Sequence, residues 1–259
     1  MSRFGNLEFN DESGEHSHEL PADSSKDGAF YLAEADEAFG NGRFESALRR
    51  YAKVLEFDPC CAAAWTGQVR MLIELGEFRE ARLWADKALE KFPHEPELLA
   101  AKAVALGRSG DLQGAIAFSD ASIEERGDTP YVWLARGDVL LARREVRADF
   151  CFDKAQMLAP KDWFVTWLIA RIRSYYEQFA AALKLMQQAV ELNAAHFLPW
   201  LELGRCQQSL GLAGAATVSF NRARELNPRS DEVRAALAQV SRTDFSLRLQ
   251  GWWRQFFKR

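Results

Sequence analysis

The sequence predicts an all-α fold of tandem helix pairs, on three observations that share one period. Small residues recur as Ala47, Ala81, Ala115, Ala148, Ala182 and Ala216, at intervals of 34, 34, 33, 34 and 34. Prolines close four of the segments in a single phase, Pro59, Pro93, Pro160 and Pro228, with Gly127 and Ala194 in the two remaining slots. Glycines occupy a second fixed phase, Gly42, Gly76, Gly110 and Gly211, where the turn between two paired helices must fall. Three residue types in one register indicate stacked repeats, because each helix pair can bury its apolar side only against its neighbours. With 259 residues, 48% of them hydrophobic and 27% charged, the chain has the apolar surface such a stack requires.

Residues 1–27 hold seven acids against Arg3 and Lys26, a balance of -5, and are rich in Ser, Asp and Glu. They read as an acidic, flexible arm in which Phe4, Leu7 and Phe9 resemble a short docking motif. Six helix pairs then follow, at 28–61, 62–95, 96–129, 130–162, 163–196 and 197–230. In the first helix of a pair a bulky residue (Tyr31, Trp65, Leu99, Trp133, Trp200) precedes by four a mostly small one (Ala35, Ala103, Gly137, Gly204). That spacing puts both on one helix face, so a large side chain stands beside a point of close helix approach. Ala47 with Tyr51, Ala148 with Phe152 and Ala216 with Phe220 repeat the device in the second helix.

Thr129 before Pro130 is a cap followed by proline in the first turn, where its missing N–H costs little. The fourth pair is one residue short and has Ala142, Arg143, Arg144 and Glu145 where a glycine turn is expected. The fifth turns through Tyr176, Glu177 and Gln178. Lacking a residue that reaches positive φ cheaply, these two turns are expected to differ from the others. Residues 231–243 form a capping helix with Val233, Ala236, Leu237 and Val240 on one side.

The pattern of a tryptophan, a small residue four positions on, paired alanines and a closing proline resembles the tetratricopeptide repeat family over residues 28–230. The resemblance implies a right-handed superhelical solenoid of six helix pairs plus the cap, a non-enzymatic protein that binds other proteins. The first helices would line a concave groove, and the family's inner phases fall here on Arg70, Arg108, Tyr131, Leu134, Trp167, Arg171, Tyr175 and Arg205, together with Asp36, Phe39, Thr66, Glu74, Asp138, Leu201 and Gln208. Arginine's planar fork suits a two-point bond to a carboxylate, so the partner expected is a protein with an acidic or C-terminal segment. The competing reading is that these arginines pair with the chain's own Asp138 or Glu74. The aromatics Trp163, Phe164, Trp167, Tyr175, Tyr176 and Phe179 exceed what one repeat needs for packing, which leaves room for an exposed anchor. The two-carboxylate clamp of chaperone-tail binders is not matched, since Leu32, Asp36, Gly67, Glu97 and Ala101 stand at its positions.

Residues 244–259 form a basic aromatic tail with a balance of +3. On a helical wheel Phe245, Leu249, Trp252, Trp253, Phe256 and Phe257 share one arc, and Arg248, Arg254 and Lys258 fall elsewhere. Weak association with a membrane surface, insertion in a partner's groove and packing on the last repeat all remain open for it.

The body between arm and tail is close to neutral, which argues against nonspecific nucleic-acid binding. Cys60, Cys61, Cys151 and Cys206 show neither disulfide nor zinc spacing, and His16, His18, His94 and His196 form no helical metal pair. No metal, cofactor or catalytic residue is therefore expected, and the start of the chain reads as cytoplasmic, with a peripheral membrane position depending on the tail. The functional expectation is an adaptor or assembly scaffold, with a cochaperone-like client holder or an enzyme's regulatory subunit as alternatives, and homo-oligomers compatible with any of them.

Overall fold

The computed structural model describes residues 27–240. These form α-helices joined by short turns, with no strand among the described residues. The chain divides into two compact units, residues 1–155 and 156–259, with the division inside one helix.

The first unit holds α1 (Gly28–Gly40), α2 (Phe44–Phe57), α3 (Ala62–Glu74), α4 (Phe78–Lys91), α5 (Pro96–Arg108), α6 (Leu112–Glu124), α7 (Pro130–Ala142) and most of α8 (Ala148–Leu158). Successive helices pack in order, and the first helices of neighbouring pairs, α3 on α5 and α5 on α7, also pack on one another. The second unit holds α9 (Trp163–Tyr175), α10 (Phe179–Leu192), α11 (Phe197–Ser209), α12 (Ala213–Leu226) and α13 at 231–240. There α9 pairs with α10 and α11 with α12, and α10 packs on α11. Val233, Ala236 and Val240 of α13 close the core over Leu201, Ala216, Phe220 and Ala223.

The small residues of the sequence mark where helices come closest. All six period-setting alanines are buried. A Cβ on Gly137 would stand 2.4 Å from Cε1 of Phe152, and one on Gly204 the same distance from Cε1 of Phe220. Both are far inside van der Waals contact, so the bulky ring of the second helix occupies the space that the first helix's glycine vacates. Helix starts are fixed by side-chain caps: Asp27, Asp111, Thr129 and Asp162 accept from backbone N–H groups one turn on, and Ser230 does the same for α13.

The turns without glycine do not differ from the others. Arg144 and Glu177 each adopt φ 59°, in the same left-handed region as Gly42, Gly76, Gly110 and Gly211. The hydrogen bonds are the same as well. Gly76 N–H donates to Ile73 and Glu77 N–H to Leu72, as Arg144 donates to Leu141 and Glu145 to Leu140, and Glu177 to Ser174 and Gln178 to Arg173. Each is the pair of backbone hydrogen bonds that closes a helix with a left-handed residue. Packing of the flanking helices imposes the conformation, so the expectation of altered turns is corrected: the geometry is conserved and the cost falls on the residue.

The residue missing from the fourth pair lies just after its turn. Each aligned alanine follows the left-handed turn residue by five positions, as Ala115 follows Gly110, but Ala148 follows Arg144 by four. The regular first turn of α8 is lost in consequence. Ala148 N–H reaches Glu145 O at 3.3 Å, and Glu145 accepts from Arg143 at 2.6 Å and Arg147 at 2.5 Å. Val146 and Phe150 are left exposed.

Candidate partner-binding surface

In the first unit the inner-phase residues of α1, α3 and α7 meet at Arg70. Its guanidinium carbon lies 3.8 Å from the centre of the Tyr131 ring and 4.9 Å from that of Phe39. Tyr131 stands at the start of α7, and α5, which packs on both α3 and α7, carries the small buried residues Ala101 and Ala105. The two rings hold the charge by their electron-rich faces and fix the plane of the fork. Burial pushes the Tyr131 hydroxyl above the usual phenol range, and Arg70 pulls it back only in part, so the ring stays neutral and leaves the arginine's charge intact. Among the described residues no carboxylate lies within ion-pair distance of Arg70, which is partly exposed.

Arg108 is differently placed. Its Nε donates to Asp138 Oδ2 at 3.1 Å and its Nη2 to the same oxygen at 2.6 Å, with side chains only 8% and 3% exposed. The internal pairing, not a ligand, accounts for this arginine, because a buried carboxylate left alone would be costly. Asp36 accepts from the Tyr51 hydroxyl at 2.6 Å, and burial together with that bond pushes the Tyr51 phenol well above its ordinary range.

In the second unit Arg171 and Arg205 share one acceptor. Arg171 Nη1 donates to Glu202 Oε1 at 3.0 Å and Arg205 Nη1 to the same oxygen at 2.7 Å, while Arg205 Nη2 donates to Glu232 at 3.0 Å. Burial works against the charge of Arg205, but the two glutamates more than restore it, and its pKa is raised. These links tie α9 to α11 and α11 to α13. Arg171 also lies over the Trp167 ring at 4.9 Å.

Several inner-phase expectations are corrected by burial. Leu134, Trp167 and Leu201 are buried, so they pack the helix layer and offer no anchor. Tyr175 is the aromatic of the fifth pair that remains exposed, edge-on to Tyr176 at 5.0 Å. The tail residues Phe245, Leu249, Trp252, Trp253, Arg254, Phe256, Phe257 and Lys258 lie outside the described residues, as do Phe4, Leu7 and Phe9. No helix among the described residues is long and apolar enough to cross a membrane. Burial raises the thiol pKa of Cys151 and Cys206, which keeps both in the unreactive thiol form.

One feature escaped sequence reasoning. At the seventh position of the four first helices of the first unit stand Glu34, Gln68, Lys102 and Arg136, where α9 and α11 have the apolar Ile169 and Leu203. Lys102 pairs with Asp86 at 2.6 Å and Arg136 with Asp120 at 2.7 Å, each on the second helix of the preceding pair, and Glu34 pairs with Arg50. Gln68 has Ala52 at the corresponding place and is fully buried with neither amide atom bonded. Four polar residues in succession at one phase, Glu34, Gln68, Lys102 and Arg136, were the available signal.

Residues 32–96 match the tetratricopeptide repeat family. No curated protein matches the chain in sequence. Among solved structures, the APC/C hetero-tetramer Cut9–Hcn1 aligns at 15% identity over 83% of this chain and 43% of that one, with a TM-score of 0.50. A tetratricopeptide repeat protein from Parabacteroides merdae aligns at 15% identity over 83% and 84%, with a TM-score of 0.53. Yeast Tom70 aligns at 17% identity over 85% and 49%, with a TM-score of 0.54. The chain thus spans less than half the length of the Cut9–Hcn1 and Tom70 chains, and likeness at this identity concerns the fold. The period, the paired helices and the close approach at their glycines agree with the match over 32–96, and the described residues have the tetratricopeptide repeat fold.

Proposed function

We propose that this chain is a non-enzymatic adaptor that binds a carboxylate-bearing segment of a partner protein on the inner face of its first unit, at Arg70. Tetratricopeptide repeats generally serve as scaffolds for protein–protein interaction, which supports the class of function. The site rests on one observation: of the four inner arginines, Arg70 is held by aromatic rings instead of by an acid. An arginine positioned in this way has surrendered its rotamer freedom before the partner arrives, and its N–H fork keeps the capacity to meet a carboxylate. The tail at 244–259 would then localise the assembly, at a membrane surface or on a second protein.

The test is selection of binding peptides from a random library with the full-length protein, followed by titration against Arg70→Gln. Selected peptides should carry Asp, Glu or a free C-terminus, and should lose roughly tenfold or more in affinity on Arg70→Gln, as expected for a charge-assisted bond. Peptides that bind the folded variant as well as the parent would refute the assignment.

A further inference from the structure

The residue missing from the fourth pair turns an apolar side chain outward. Counted from the left-handed turn residue, the second residue on is Phe44, Phe78, Leu112 or Phe179 in four of the other pairs, and each is partly buried. Val146 holds that place in the fourth pair. With one residue fewer before Ala148, its direction about the helix axis changes by about 100°, and it is 86% exposed. Phe150, one turn on, is 65% exposed, its ring edge-on to Trp133 at 6.1 Å. Asp153 and Met157 follow Phe150 by three and seven residues and so share its side of α8. Met157 is 75% exposed, where the aligned residue of every other pair is a glutamate: Glu56, Glu90, Glu124, Glu191 and Glu225. Two exposed charges flank this side of the helix. Among the described residues neither Arg144 nor Asp153 forms an ion pair, whereas Arg143 and Arg147 are held by Glu145.

We infer that two copies of this chain pair through α8, antiparallel about a two-fold axis beside Phe150. Val146, Phe150 and Met157 together expose roughly 400 Å², more than scattered surface residues account for. A specific interface takes about 800 Å² from each partner, of which roughly 450 Å² is apolar. One α8 thus supplies the apolar part of one complete side. Charge selects a second copy as the occupant and fixes its direction. Arg144 lies six residues before Phe150 and Asp153 three after it. In an antiparallel crossing, Arg144 of one copy and Asp153 of the other fall on the same side of the axis, about 5 Å apart along the helices and within an arginine's reach. A parallel crossing would leave them about 14 Å apart and set the arginines of the two copies side by side. The two-fold axis repeats each contact, so the pairing answers both unpaired charges of both copies. This inference is independent of Arg70.

Sedimentation velocity of the full-length protein over roughly 1–200 µM tests it, since interfaces of about 1,600 Å² bind at micromolar strength or better. A monomer–dimer equilibrium is expected. Phe150→Asp should raise its dissociation constant by roughly tenfold or more, with circular dichroism showing the helices intact. Arg144→Asp and Asp153→Arg should each weaken the dimer several-fold, and the double variant should restore it, because the exchanged charges again face each other across the axis. A protein that stays monomeric throughout the range, or a dimer that Phe150→Asp leaves as strong, would overturn the proposal. Single charge reversals without effect, or a double variant no tighter than either single one, would overturn the antiparallel pairing.

Discussion

Of the four charged residues at positive φ, Arg126, Arg144, Lys161 and Glu177, two lie in turns between paired helices, and replacing those two, Arg144 and Glu177, by glycine should stabilise the protein. Both stand at φ 59° in turns whose hydrogen bonds copy those at Gly76 and Gly110. A residue with a Cβ pays about 1–2 kcal/mol to sit in this region. Glycine gives back roughly 0.5–1 kcal/mol of that through the greater freedom of its unfolded chain. The difference favours glycine by about 0.5–1 kcal/mol at each turn, and two sites more than thirty residues apart should add to about 1–2 kcal/mol. For a chain of this size that is a rise in melting temperature of roughly 2–8 °C, read by circular dichroism at 222 nm. If the two units melt in separate steps, Arg144→Gly moves one and Glu177→Gly the other. Gly76→Ala and Gly110→Ala give the reverse control. An added Cβ meets nothing within 4 Å at either position, so the loss, about 1 kcal/mol, is purely conformational. A double glycine variant that melts at or below the parent temperature would refute the view that packing forces these turns into shape.

Four further outcomes follow from the same geometry. Gly137→Ala sets a methyl group 2.4 Å from Phe152 and should cost about 1–3 kcal/mol in urea denaturation, through overpacking. Asp138→Ala strands the buried Arg108 guanidinium and should cost about 3–5 kcal/mol, whereas Arg70→Ala, which breaks no ion pair among the described residues, should cost much less. His196 has its pKa lowered by burial, so the folded state holds it neutral while the unfolded chain protonates it near its ordinary 6.5. Its contribution is therefore complete above pH 6.5 and is lost as pH falls below it, and His196→Asn should flatten that part of a melting-temperature profile between pH 7.5 and 5.5. Reversing both Arg171 and Arg205 to glutamate would set two further carboxylates beside Glu202 and Glu232 with no cation between them, so it should destabilise the second unit. A variant of Arg171 and Arg205 of that kind with unchanged melting would contradict their structural role.

The period of the helices was legible because Ala, Gly and Pro each act through backbone geometry or close approach, and such residues mark their positions locally. The six buried alanines and the Gly137–Phe152 and Gly204–Phe220 contacts follow directly from that register. Arg144 and Glu177 were not legible as turn residues of the ordinary kind, because tertiary packing there overrides a local preference worth only about 1–2 kcal/mol. The site was legible in its phases but not in its pairings. Arg108 and Arg171 carry the same signal in sequence as Arg70, and only the neighbouring helices reveal that Asp138 and Glu202 neutralise them. Trp167 falls on an inner phase and yet is fully buried, a consequence of how closely its neighbours pack, which spacing along one helix does not encode.

Arg70, gripped between Phe39 and Tyr131, is the cation we propose this scaffold offers to a partner. Isothermal titration of one library-selected, carboxylate-bearing peptide against the parent, Arg70→Gln and Arg108→Gln proteins, each first shown to be folded, tests it most directly. The dissociation constant should rise roughly tenfold or more with Arg70→Gln and change little with Arg108→Gln, whose guanidinium already belongs to Asp138. Equal affinity for the parent and Arg70→Gln proteins, or a loss confined to Arg108→Gln, would contradict it.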